Sequence, residues 1–262
     1  MNSSGESGSS GKAREEARSG SSSLEFGLYE AALRYPERVS ILYRLAKPLV
    51  RWWVASIVRS RFEGMDNLPR TGACILVPNH QSLLDPLLLQ GNLPRPVCSM
   101  TKSTQFIHSF FRWALPRLHA FPVRRYRVDP QSVRVLFRRL QEGRAVCVYP
   151  EGGRSWDGRI QPFLRGTIRV LLRAGVPVIP VGIEGTYDAW PRWASGPRRG
   201  FTARVRIGKP ITLGVHRDRT VREAALPAAE AMLRDALLEL SGEAARQEME
   251  IQVKESGSEA LG

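Results

Sequence analysis

The stretch Asn79-His80-Gln81-Ser82-Leu83-Leu84-Asp85 puts an imidazole, a hydroxyl and a carboxylate on one short segment. A histidine that donates one ring N–H to a carboxylate is fixed in one tautomer, and its other nitrogen can then take up a proton. On a straight helix the step from His80 to Asp85 separates the two by about 140°, a poor contact geometry. A turn over 79–82 leading into a helix would bring them together. Pro86 favours that arrangement, because it disfavours helical geometry at Asp85 and suits a helix's first turn. The same residues also fit a plain turn, or a helix capped by Asp85. Ser82 reads as a turn or hydrogen-bonding residue rather than a nucleophile.

Three further stretches carry polar groups at the ends of apolar runs. Tyr149-Pro150-Glu151-Gly152-Gly153-Arg154-Ser155 follows the run 145–149. Its glycines let the backbone approach a ligand and present N–H groups, and Arg154 adds a fork for phosphate. It lacks the Gly-Lys-Ser/Thr of a P-loop and the Gly-x-Ser-x-Gly of a nucleophile elbow, so a plain glycine turn is the alternative. In Phe121-Pro122-Val123-Arg124-Arg125, two arginines leave a short apolar run. Val176-Pro177-Val178-Ile179-Pro180-Val181-Gly182-Ile183 is apolar with internal prolines. Prolines belong at sheet edges or bulges, so this strand is expected to line a site or an edge rather than the sheet centre.

The elements that must position these groups alternate along the chain. Apolar runs at 73–78, 96–101, 145–149, 178–183 and 202–207 read as buried strands. A helix is expected over 130–142, capped by Asp129 with Pro130 at its first position and Gly143 beyond its end. Thr220-Val221-Arg222-Glu223 reads as a capping box for a last helix to about residue 240. Strands alternating with helices predict an α/β fold, with a mixed, largely parallel central sheet flanked by helices. Sites in such sheets gather on loops after the strands.

The expected organisation is a disordered Ser/Gly-rich tail over 1–23, an amphipathic helical region over 24–61, the α/β domain over 62–242 and a polar tail over 243–262. Within 41–61, Leu45, Leu49, Trp52, Trp53 and Ile57 mark an apolar side, and Arg44, Lys47, Arg51, Arg59 and Arg61 supply charge. That pattern suits a membrane interface, and a helix packed on the domain's own core is the alternative. Pro48 is expected to kink or split it. Residues 1–23 do not read as a signal peptide, and no apolar run is long enough to span a bilayer.

The 262 residues carry 39 Lys+Arg against 25 Asp+Glu, a net charge of +14, and only five of the basic residues are lysine. Arginine in excess suits a phosphate-bearing partner: nucleic acid, an anionic membrane or a phosphorylated small molecule. A solvated basic surface is the plain alternative. The arginines are spread along the chain, and no helix-turn-helix, zinc or stacking-aromatic motif appears, which argues against nucleic acid. Cys74, Cys98 and Cys147 lie in apolar runs without CxxC spacing and read as buried free thiols. No metal-ligand spacing is present.

Taken in order, NHQSLLD (79–85), AFPVRR (120–125), YPEGGRSWDGRIQPFLRG (149–166) and VPVIPVGIEG (176–185) resemble the four blocks of the glycerolipid acyltransferases. The best-known members of that family are 1-acylglycerol-3-phosphate acyltransferases. The resemblance covers about residues 45–215. It implies that His80 is the catalytic base and that Asp85 orients it. Arg125, with Arg124 beside it, would bind phosphate; Glu151, Gly152 and Arg154 would bind the acceptor; Lys102 would add a phosphate contact. Three positions depart from the common pattern: His119 where glycine is usual, Gly153 for threonine, and Leu164 where lysine is frequent. His119 reads as a structural or pocket-lining residue.

The implied reaction moves a fatty acyl group from acyl-CoA or acyl carrier protein to the sn-2 hydroxyl of 1-acylglycerol 3-phosphate. It needs no cofactor, metal or acyl-enzyme. N–H groups near Gly152 and Gly153 are candidate oxyanion donors. The expected setting is the cytoplasmic side of a membrane, with peripheral or monotopic binding to anionic lipid. Glycerol 3-phosphate, another lysolipid or water are the competing acceptors.

Overall fold

The computed structural model describes residues 29–30, 32, 39–124 and 129–245. The expectations for the 1–23 tail, for Arg125 and for most of the 243–262 tail lie outside the described residues. Seven strands form one sheet in the order β1-β7-β6-β2-β5-β3-β4, where β1 is Val58–Glu63, β2 Cys74–Pro78, β3 Val97–Lys102, β4 Ala120–Val123, β5 Ala145–Cys147, β6 Val178–Glu184 and β7 Phe201–Ile207. Only the β6–β7 pair is antiparallel; the other five pairs are parallel. This is the mixed, mostly parallel α/β sheet that the alternation of strand and helix predicts.

Both faces are covered. On one side pack α1 (Ile41–Ile57) and α2 (Leu84–Asn92); on the other pack α4 (Pro130–Gln141), α5 (Arg165–Ala174) and α7 (Arg219–Ser241). The short helices α3 (Ser109–Arg117) and α6 (Thr186–Ala189) lie in the connections after β3 and β6. β2 illustrates why a central parallel strand reads as one apolar run. Its residues are all buried, with Cys74 and Leu76 in one core and Ile75 and Val77 in the other. The three cysteines are buried free thiols.

Five local expectations change. The first helix ends at Ile57, and residues 58–63 form edge strand β1, whose burial alternates with period two. Pro48 sits inside the uninterrupted α1. β6 is an interior strand despite Pro180. Its partner has one extra residue there: Val178 pairs with Ile211 but Val181 with Ile207, so Pro180 sits at a bulge, where a missing N–H is tolerated. The last helix is capped by Asp218, whose side chain accepts from the Val221 N–H at 3.0 Å, so Thr220 lies within it. The expected cap at Asp129 is present, accepting from Ser132 N. Glu243, assigned to the polar tail, is buried and accepts from Ile160 N at 2.8 Å.

Candidate active site

β2 delivers the backbone to Asn79, and Asn79 fixes how it leaves the sheet. Its side-chain amide donates to Ile183 O at 2.9 Å and accepts from Ile183 N at 2.7 Å, replacing one rung of the β2–β6 ladder. The chain then turns. His80 Nδ1 lies 2.8 Å from Asp85 Oδ2, and the same oxygen accepts from Gln81 N at 2.7 Å and Ser82 N at 2.8 Å. Asp85 Oδ1 accepts from Thr186 Oγ1 at 2.6 Å. Asp85 is 0% exposed, so these donors supply what water would. The turn and the dyad are therefore one structure. Asp85 is not the helix cap: it sits in the first turn of α2, and its carboxylate reaches back to the loop N–H groups. Ser82 is buried, accepts from Leu84 N and donates to Trp190 O at 2.8 Å, the role of a turn residue.

The loop after β5 grips the histidine's backbone. His80 N donates to Glu151 Oε1 at 2.7 Å, and His80 O accepts from Ser155 N at 2.7 Å. Glu151 Oε2 accepts from Gln161 N at 3.0 Å. Burial pushes the Glu151 carboxyl up to about 8, against the pull of these two N–H donors. The Tyr149 ring stacks on the imidazole, with centroids 4.0 Å apart and planes at 25°. Burial holds the Tyr149 phenol well above its usual range. With a carboxylate as its partner, Nδ1 carries the proton and Nε2 is the basic nitrogen.

His80 lines a cleft of about 1530 Å³ between α4 and α5. Its walls combine apolar groups, among them Leu136, Phe137 and Val170, with the arginines Arg124, Arg134 and Arg165. Such a cleft matches an amphiphile with an anionic end.

The other sequence-derived positions divide. Gly152 lines the cleft in the left-handed region, with φ of 70°, which glycine adopts without strain. Its N–H closes a turn to Tyr149 O at 3.1 Å, which removes it as an oxyanion donor. Arg124 lines the cleft, with its N–H on Asp129 Oδ2 at 2.7 Å and its Nη2 3.6 Å from Asp129 Oδ1. Arg125 lies outside the described residues. Lys102 is exposed at the end of β3 and does not line the cleft. Arg154 also lies outside the lining, and its carbonyl accepts from Arg192, whose guanidinium stacks over Trp156 at 3.7 Å. The Glu151 carboxyl group is occupied by backbone N–H donors and acts as a brace on His80.

His119 is buried with φ of 61°, a conformation that glycine adopts freely. Burial, with Arg144 and Arg139 nearby, lowers its pKa to about 4, so it is neutral, and it meets Tyr43 edge-on at 4.9 Å. Sequence reasoning misses Asn79, Thr186, Tyr149 and Ser155 as parts of the site. Thr186 directly follows the fourth block, but no local signal ties it to Asp85.

A family model described as "Acyltransferase" matches residues 59–184, a span that holds the dyad, the Glu151 brace and strands from β1 to β6. Residues 59–184 thus form an acyltransferase-family domain. Similar proteins include a chloroplastic 1-acyl-sn-glycerol-3-phosphate acyltransferase of Brassica napus, 34% identical over 66% of this chain and 51% of its own. The chloroplastic enzyme of the same name from Arabidopsis thaliana is 31% identical over 75% of this chain and 56% of its own. That of Pseudomonas aeruginosa is 29% identical over 72% and 74%. The chain thus spans about half the length of the two plant relatives. Among solved structures, the 1-acyl-sn-glycerophosphate acyltransferase of Thermotoga maritima shares the fold, with a TM-score of 0.56 and 21% identity over 81% of this chain and 89% of its own. Among the described residues, no helix is long and apolar enough to cross a membrane.

Proposed function

We propose that this protein moves a fatty acyl group from an acyl thioester to the sn-2 hydroxyl of 1-acylglycerol 3-phosphate, giving phosphatidic acid for phospholipid synthesis. The observation that carries the reading is the 2.8 Å contact between His80 Nδ1 and a fully buried Asp85, at the wall of an arginine-bearing apolar cleft. His80 Nε2 takes the hydroxyl proton as the oxygen attacks the thioester carbonyl. Asp85 stabilises the imidazolium and holds the ring in place, as the acid does in hydrolase triads, but the lysolipid replaces a serine nucleophile. When the carbon–sulfur bond breaks, the imidazolium returns its proton to the departing sulfur, and free thiol leaves. Neither a metal nor a cofactor enters these steps.

Arg124 in the cleft and Arg125 after it supply guanidinium groups for the glycerol phosphate, which fixes the hydroxyl against His80. The names of the relatives support this acceptor. The donor is acyl-CoA or acyl carrier protein, both anionic and both compatible with a charge of +14. The lipid substrates reside in a bilayer, and α1 exposes Leu45, Leu49 and Trp52 beside Arg44, Lys47 and Arg51. This favours peripheral or monotopic binding to anionic lipid at the cytoplasmic surface, and the partners are lipid and donor rather than nucleic acid.

The test is a matrix of donors (acyl-CoA, acyl carrier protein) against acceptors (1-acylglycerol 3-phosphate, glycerol 3-phosphate, other lysophospholipids, water). Phosphatidic acid as the dominant product, lost in His80→Ala, supports the proposal. Preferred transfer to another acceptor, or release of free fatty acid, overturns the acceptor or makes the protein a hydrolase.

A further inference from the structure

Exposed apolar surface is not confined to α1. The connection between β3 and β4 places Ile107 (72% exposed), Phe110 (66%), Phe111 and Trp113 in solvent on and just before α3. The rings pack on each other: Phe110 and Phe111 lie 5.4 Å apart, Phe110 and Trp113 6.3 Å, and the Arg117 guanidinium covers Trp113 at 4.6 Å. Scattered apolar residues on a surface need no explanation, but a contiguous aromatic cluster does. α3 is also tied to the start of α1. Ser40 Oγ, at the α1 cap, donates to Arg117 O at 2.7 Å, and Tyr43 meets His119 edge-on.

Charge selects the occupant. Residues 41–57 and 101–118 contain no aspartate or glutamate, but they carry Arg44, Lys47, Arg51, Lys102, Arg112 and Arg117. A second copy docking through this surface would bring six cations against six. An anionic leaflet accepts both the aromatic rings and the cations that rim them.

We propose that α3 is a second membrane-inserting element, whose Phe110–Trp113 cluster enters the interfacial layer of an anionic leaflet alongside α1. The strands on either side of α3 run to the cleft: Met100 of β3, Val123 of β4 and Arg124 line it. An inserted α3 therefore holds that wall of the cleft at the lipid surface, where a lysolipid can enter without crossing water. The inference rests on the membrane reading above, but its test requires no catalysis.

The three native cysteines are buried, so an environment-sensitive dye can be attached selectively at Phe110→Cys, with exposed Asp235→Cys on α7 as the control. Vesicles of phosphatidylcholine with and without phosphatidylglycerol are the probe. The expected result is a blue shift at position 110 with anionic vesicles only, weakened by salt, and none at 235. F110S/W113S should lose vesicle affinity by about tenfold or more without a change in Tm. If the dye at 110 stays in water while the wild type binds vesicles through α1, the α3 proposal is overturned and the membrane reading stands. If the wild type does not bind vesicles at all, both fail. A shift at 110 that tracks protein concentration without vesicles identifies a second copy of the chain and also overturns the proposal.

Discussion

In the Asn79–Asp85 loop the five polar residues are all buried and one leucine, Leu83, is exposed. Along α1, Ile41, Leu45, Leu49 and Trp52 stand in water. Each region inverts the usual distribution, and the inversions have different physical consequences. A buried polar group is stable only if every donor and acceptor finds a partner, so the loop's chemistry and its folding depend on the same hydrogen bonds. An exposed apolar side chain contributes almost nothing to the fold, so the α1 surface can change without loss of stability and registers only when something docks on it. Damage to the loop should therefore appear in stability and turnover together, while damage to α1 should separate the two.

The sharpest break of that contrast is Asp85→Ala. It strips the acceptor from His80, from two loop N–H groups and from Thr186. Transfer should fall about 10³-fold or more, and unfolding free energy by about 3–5 kcal/mol, read by initial rates and urea titration. A stable Asp85→Ala that turns over within tenfold of wild type would make the loop ordinary. On the other region, L49S/W52S should cost less than about 0.5 kcal/mol of stability yet weaken binding to anionic vesicles by about tenfold or more in a flotation assay. Equal affinity for vesicles would remove α1 from the membrane.

Smaller effects sharpen the loop's side. Thr186→Val keeps the shape and removes one donor to Asp85, so kcat should drop about 3- to 10-fold with KM unchanged. A change in KM alone would place Thr186 in substrate binding instead. Glu151 gives a pH signature. Its carboxyl sits at about 8 in the fold against an ordinary 4.5, so the folded chain holds a proton that the unfolded chain releases. This group contributes stability at acidic pH that is lost as pH rises from about 5 to about 8. Glu151→Gln should flatten that decline in denaturation curves, while costing about 1–3 kcal/mol at low pH, because an amide cannot accept from both His80 N and Gln161 N. A decline identical to wild type would show that Glu151 is not its source.

How much of this is legible in the sequence follows from distance along the chain. The strands β2, β3, β5, β6 and β7 are legible because each is an apolar run; β4 has only four residues, and β1 hides behind a tryptophan-rich helix whose end no glycine or proline marks. The dyad is legible because His80 and Asp85 are near neighbours and Pro86 hints at the turn between them. Its supports are not: Asn79 reaches Ile183 104 residues away, His80 reaches Glu151 71 away, and Asp85 reaches Thr186 101 away. Those contacts are set by which strands become neighbours, and β2 lies between β5 and β6, so the loops after those two strands close on the loop after β2. For the same reason Glu151 and Arg154 look alike as binding residues in sequence, yet the first braces the histidine and the second stands outside the cleft lining.

The most direct measurement is the initial rate of phosphatidic acid formation from an acyl thioester and 1-acylglycerol 3-phosphate, by wild type and His80→Ala, with Tm recorded for both. A base at position 80 predicts robust formation by the wild type and a loss of about 10³-fold or more in the variant, which loses stability but stays folded at the assay temperature. Formation by His80→Ala within tenfold of wild type would contradict it.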